Sequence, residues 1–166
     1  MEVKYIKHGE CPYNLLYKIG SLKKQYWDYP IKEQIEWFNN NIGNEDIHLC
    51  LLEKGKLIAY TSILQVEYKL SDGIDRNASG IGSVCVDKSF LNKQFGFLII
   101  QLATFYIRQQ AVLGLLICKD VLVSFYEKCN WIKYNGNLLI KGSDKECNLL
   151  STNPINSNII TLKSHF

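Results

Sequence analysis

Ser83-Val84-Cys85-Val86-Asp87-Lys88-Ser89-Phe90-Leu91-Asn92-Lys93-Gln94-Phe95-Gly96 holds the change of period that decides the fold. Its start closes an apolar strand, Gly80 to Val86, in which Val84 and Val86 are expected on one face and Ser83, Cys85 and Asp87 on the other. After Asp87 the alternation stops. Phe95, Leu98, Ile99, Leu102, Phe105 and Tyr106 instead recur on one face of a helix predicted to run to about Gln110. A strand-to-helix junction therefore falls between Asp87 and Gly96. Backbone N–H groups of such a loop and of the first helical turn converge on one spot, and the helix dipole favours an anion there. A pyrophosphate suits that cradle.

Upstream, Val3 to His8 alternates like a strand. Leu15, Leu16, Ile19, Leu22 and Tyr26 mark a helix from Pro12 to about Trp27, which Asp28-Tyr29-Pro30 interrupts. Ile31, Ile35, Phe38 and Ile42 mark a second helix, ended by the turn residues Gly43 to Asp46. Ile47 to Leu52, the turn Glu53 to Lys56 and Leu57 to Leu70 read as hairpin strands, and Ser71 to Asn77 as the turn into the central strand. Downstream, Leu113 to Cys118 has the unbroken apolar character of a strand buried on both faces beside a parallel partner. Asp120 is placed to cap a helix carrying Val121, Leu122, Phe125, Tyr126 and Cys129, with Asn130 in the left-handed position after it. Trp131 to Lys141 and Ile159 to Ser164 supply the last strands, and Gly142 to Asn158 reads as a surface excursion. The expected architecture is α/β: a mixed sheet of about six to seven strands, an antiparallel meander followed by a parallel pair, with about four helices.

Bulk composition narrows the function classes. The 166 residues, 47% of them hydrophobic and 21% charged, suit one packed domain over residues 1–166. A net charge of +3, with scattered lysines, lacks the basic stripe of a nucleic-acid binder. Apolar runs such as Val112 to Cys118 are far below the roughly 20 residues that cross a bilayer. The start, Met1 to His8, has no secretory h-region, so the expected location is cytoplasmic. The six cysteines are widely spaced, without a Cys-x-x-Cys pair, as for reduced thiols, and the three histidines have no zinc-ligand spacing, so no metal is expected.

The element order and two local segments resemble the GNAT superfamily of N-acetyltransferases over nearly the whole chain. Ser83 to Gly96 is similar to the family's central strand and pyrophosphate loop. The usual loop pattern, Arg or Gln, two variable residues, Gly, one variable residue, then Gly or Ala, falls on Leu91, Gln94 and Gly96, and only the last is kept. Gln94 must then adopt a conformation that glycine takes more easily. Ser124-Phe125-Tyr126-Glu127-Lys128-Cys129-Asn130-Trp131 is similar to the family's Phe-Tyr-Glu-x-x-Gly-Phe helix end.

The resemblance implies acetyl-coenzyme A as co-substrate and an amine as acceptor. It implies that Val84, Cys85 and Val86 line the pantetheine arm, with the strand Leu113 to Cys118 splayed away to admit it. Asn92, Lys93, Gln94, Phe95, Gly96 and Phe97 would receive the phosphates. By position Tyr126 inherits the general acid that protonates the leaving thiolate, a role that a phenol suits. Ile81-Gly82-Ser83 carries no carboxylate base, and Glu67 on the neighbouring strand is the nearest candidate; an ordinary solvated strand residue is the competing reading. Cys85 or Cys118 as an acyl-cysteine nucleophile lacks a histidine nearby in sequence.

Within the superfamily the meander, central strand and closing helix look most like aminoglycoside 2′-N-acetyltransferases, although the acidic residues Asp28, Glu33, Glu36, Asp46, Glu67, Asp72 and Asp75 are spread out. The resemblance also implies a homodimer through Trp131 to Phe166. Two other readings stand beside amine acetylation: a catalytically silent acyl-CoA-binding or protein-interaction domain, which Leu91 and Gln94 would explain, and transfer of longer acyl groups.

Overall fold

The computed structural model describes residues 1–143, 146–164 and 166. Among these, nine strands and four α-helices follow one another as β1 (Glu2–Lys7), α1 (Tyr13–Lys23), α2 (Ile31–Asn41), β2 (Ile47–Glu53), β3 (Lys56–Leu70), β4 (Asp75–Val86), α3 (Phe95–Gln109), β5 (Leu113–Cys118), α4 (Asp120–Lys128), β6 (Ile132–Lys133), β7 (Asn137–Ile140), β8 (Asn148–Ser151) and β9 (Ile159–Leu162). The strand order is β1-β2-β3-β4-β5-β8-β6, and β9 pairs with β3 and β7. No described helix is long and apolar enough to cross a membrane. The expected mixed sheet and four helices are present, with nine strands in place of six to seven.

The chain forms two compact units. In the first, Met1–Leu64 with Ser83–Ala103, β1, β2 and the first half of β3 form an antiparallel meander from Glu2↔Leu52 to Ile47↔Ile63. Leu15, Leu16, Ile19 and Leu22 of α1 and Ile35 and Phe38 of α2 are buried, as their spacing requires. Helix α1 ends at Lys23, earlier than expected. The N–H groups of Gln25 and Tyr26 turn back to Leu22 and Lys23 in tighter bonds, and Tyr26 and Trp27 are left exposed. A polar chain runs through this core. His8 Nδ1 and His48 Nε2 are 2.9 Å apart, and His48 Nδ1 is 2.8 Å from Tyr60 Oη. Burial of His48, with His8 and Lys23 nearby, pushes its pKa down to about 4, so its ring is neutral at neutral pH.

In the second unit, Gln65–Gly82 with Thr104–Phe166, β4 and β5 are parallel from Ala78↔Leu113 to Ile81↔Leu116. β8 pairs antiparallel with both β5 and β6, and β9 lies antiparallel to β3 and parallel to β7. The stretch read as a surface excursion is thus corrected in part: Asn148–Ser151 is β8, with Leu149 and Leu150 buried against its partners. Asp144 and Lys145 of that stretch, like His165, lie outside the described residues.

The end of α4 is pinned by a buried bond from Trp131 Nε1 to Thr104 Oγ1, 3.0 Å long. Gly114 of β5 lies so close to this anchor that an added Cβ would come within 2.5 Å of Thr152 Cγ2 and 3.1 Å of the Trp131 ring. Asn130 is left-handed, φ 65°, as expected of the residue closing the helix. Asp120 does not cap α4 with its side chain. It is the first helical residue, after Lys119, and its carboxylate accepts from Asn148 Nδ2 at 2.6 Å.

Candidate active site

The loop that decides the fold lies in the first unit, between the end of β4 and α3. Asp87 organises its start. Asp87 Oδ1 accepts from the N–H of Ser89 at 2.9 Å and from its hydroxyl at 2.5 Å, and Oδ2 is 3.0 Å from Lys56 Nζ. Partial burial acts to raise the Asp87 pKa, but these bonds, with Gln25, outweigh it and hold the carboxyl at about 2. Gln25 Oε1 also accepts from the Lys88 N–H at 2.9 Å, which ties the loop to the chain after α1.

Two non-glycine residues of the loop, Asn92 and Gln94, have φ of 62° and 61°. The left-handed Gln94 expected from the replaced glycine is therefore found, at a cost that glycine would avoid. The N–H of Leu98 donates to Gln94 O, so those of Phe95, Gly96 and Phe97 precede the first helical bond of α3 and, with no acceptor among the described residues, can meet an anion. Lys93 adds a cation, its Nζ 5.0 Å from the centre of the Phe90 ring. Leu91 is 48% exposed and leaves the loop open on that side. Backbone donors, a helix N-terminus and a lysine fit the diphosphate of a coenzyme.

β4 departs from its expected alternation. Ser83 is left-handed, φ 53°, inside the strand. Ser83 and Val84 are both half-buried, whereas Cys85 and Val86 are both buried, because the turned backbone at Ser83 breaks the period of two. The β4–β5 ladder ends at Ile81↔Leu116, although β4 continues to Val86 and β5 to Cys118. Val86 O accepts from Tyr26 Oη at 2.5 Å. Burial raises the Cys85 thiol to about 12 and the Cys118 thiol to about 11, so both stay protonated and are poor nucleophiles.

Ser83 also holds the group that the sequence reading passed over. Lys23 Nζ donates to Ser83 Oγ at 3.1 Å from a side chain that is 5% exposed. The available signal was its spacing: Lys23 follows Ile19 by four residues on the apolar face of α1, where a lysine is out of place.

In the second unit, Tyr126 is buried on α4 beside Phe125, their ring centroids 5.0 Å apart. Its hydroxyl donates to no partner among the described residues. Burial, with Cys118 and Cys129 adding to it, pushes the phenol pKa well up, so the proton is retained until a strong base develops beside it. Glu67 forms a close ion pair with Lys163, whose Nζ is also 3.4 Å from Asp75, and it is half-exposed.

Comparison with known proteins identifies the family. The acetyltransferase (GNAT) family matches residues 14–131, and the chain belongs to that family. No curated protein matches the sequence significantly. Solved structures share the fold at low identity. Escherichia coli ElaA has a TM-score of 0.65 and 16% identity, over 92% of this chain and 99% of that one. An acyl-CoA N-acyltransferase from Pseudomonas aeruginosa has a TM-score of 0.66 and 15% identity, over 90% and 97%. An aminoglycoside 6′-N-acetyltransferase complexed with coenzyme A has a TM-score of 0.65 and 13% identity, over 95% and 100%.

Proposed function

We propose that this chain, acting as one catalytic domain in the cytoplasm, transfers the acetyl group of acetyl-coenzyme A to a primary amine of a small molecule or peptide by direct attack. The observation that carries the reading is the loop after β4. Asn92 and Gln94 hold left-handed backbone conformations there, ahead of the N–H groups of Phe95, Gly96 and Phe97. These groups and Lys93 would bind the diphosphate, and the segment Val84-Cys85-Val86 would line the pantetheine arm. When bound, the coenzyme supplies an acyl thioester whose carbonyl carbon the amine attacks. Tyr126 holds its proton through binding and gives it to the departing sulfur. Its assignment rests on the segment Ser124 to Trp131.

The test has two parts. Acetyl-coenzyme A should raise the melting temperature of both the wild type and Tyr126→Phe, because ligand binding to the folded state stabilises it. The acetylation rate of the variant should fall about 100-fold or more, at unchanged coenzyme affinity. A panel of amines, beginning with aminoglycosides assayed for 2′ acetylation, identifies the acceptor, and longer acyl-coenzyme A species test chain length. No stabilisation at millimolar coenzyme would favour a catalytically silent protein-interaction domain. Sedimentation tests a homodimer through the late strands.

A further inference from the structure

Lys23 is a buried cation held without a carboxylate among the described residues. Its Nζ lies 5.5 Å from the ring centre of Trp27, 4.5 Å from Trp37 and 4.6 Å from Phe38. Its side-chain hydrogen bond goes to Ser83 Oγ. The titratable groups that face it are Cys85 on β4 and His48 on β2. Neither offers a negative charge, since the thiol is held protonated and the imidazole neutral. The rings accommodate the ammonium, but a leucine or methionine would fill the same space without the cost of taking a charge out of water. Burial lowers the amine to about 8, close to where it exchanges a proton at physiological pH. Ser83 is half-buried and left-handed in a strand that is otherwise buried on either side of residues 83–84. Its hydroxyl therefore joins the buried amine to a position that solvent reaches.

We propose that Lys23 is a positioning residue that acts through Ser83, withdrawing the proton that an acceptor ammonium must lose before it can attack. This rests on the acetyl-transfer reading above. In the step, the acceptor N–H proton passes to Ser83 Oγ as the Ser83 hydroxyl proton passes to neutral Lys23 Nζ, which becomes an ammonium. The free amine then forms the C–N bond to the acyl carbon. The C–S bond breaks with its electron pair on sulfur, which takes the Tyr126 proton, and the second amine proton then restores the Tyr126 phenol. Lys23 returns its proton to water between turnovers. Glu67, paired with Lys163, has no part in this step.

The experiment compares wild type, Lys23→Met, Lys23→Arg and Ser83→Ala. Coenzyme A release from acetyl-coenzyme A is followed from pH 6 to 9.5, with tryptamine as acceptor and with water alone. The titration of Lys23 in the free protein is followed by NMR of labelled lysine. The expected result is a Lys23 midpoint near 8 and a wild-type kcat/KM that rises through the same pH. Lys23→Met and Lys23→Arg should lose about 100-fold at neutral pH, together with that pH limb, while melting shifts with acetyl-coenzyme A stay intact. Arginine restores charge but cannot give up its proton, so rescue of the rate by Lys23→Arg would overturn the proposal. So would a Lys23 midpoint at or above that of an ordinary lysine, or a Lys23→Met profile parallel to wild type. Loss of the melting shift in the wild type itself would instead remove the acetyl-transfer reading, and this inference with it.

Discussion

The fully buried His48 makes stability depend on pH in a way that one substitution should reveal. Its folded-state pKa is about 4 against an ordinary 6.5. A base with a depressed folded pKa is protonated first in the unfolded chain. Its stabilising contribution is therefore complete above pH 6.5 and declines as pH falls towards 4. Between pH 7.5 and 4.5 these two values imply a loss of about 2.5 kcal/mol from this single group. In a chain of this length that corresponds to a melting point lower by roughly 5–10 °C. His8 shares the hydrogen bond and is also depressed, by burial against the opposing pull of Asp46, so it acts in the same direction. Urea unfolding at pH 7.5, 6.0 and 4.5 should be compared in wild type and His48→Gln, with coincident fluorescence and circular-dichroism transitions. The variant will be less stable at every pH through lost packing and bonds. The informative quantity is the difference in slope, and wild type should lose about 2.5 kcal/mol more than the variant across the range. Parallel pH curves would refute the reasoning, since they would mean that folding leaves the proton affinity of His48 unchanged.

Gln94→Gly should relieve a left-handed conformation, φ 61°, and stabilise the protein by up to about 1 kcal/mol, a gain of a few degrees in thermal denaturation, with the acetyl-coenzyme A shift retained. Gly114→Ala should do the reverse. Its methyl would meet Thr152 Cγ2 at 2.5 Å and the Trp131 ring at 3.1 Å, which costs about 1–3 kcal/mol in chemical denaturation and should redden the emission of that tryptophan as the anchor loosens.

The parts of the fold that could be read from sequence are those where period and chemistry agree. α2 and β5 lie close to where Ile35 and Phe38, and Leu115 and Leu116, place their apolar faces, and α3 has the expected extent, but its face is rotated: it buries Ile99, Ile100, Ala103 and Ile107 and leaves Phe105, read on the apolar side, 62% exposed. The β8 strand was hidden because Asn148-Leu149-Leu150-Ser151 is only four residues long, set among serines, asparagines and a proline, and its burial comes from elements distant in sequence, its partners β5 and β6 and helix α4. In the site, the loss of the loop glycine announced a strained Gln94, because few residues can take that conformation. Ser83 gave no such warning. A left-handed serine inside a strand is imposed by its surroundings, and alternation alone placed Val84 and Cys85 on opposite faces. Lys23 was passed over although its spacing from Ile19 sets a charge on an apolar face, and its ring partners come from α2 and from the turn after α1, which no single-helix pattern brings together.

The pairing of β9 with the end of β3 also bears on how the protein is made. Tyr68, Lys69 and Leu70 emerge from a ribosome long before Leu162, Thr161 and Ile160, the residues that close their edge. During synthesis that row of backbone donors and acceptors stays open, on a segment rich in tyrosine and aliphatic side chains, and contacts so distant in sequence form slowly. A nascent chain stalled before Ile159 would offer an unprotected template for strand addition by another copy. Yield of soluble protein should therefore be more sensitive to slow translation or truncation ahead of β9 than the small size of that strand would lead one to expect.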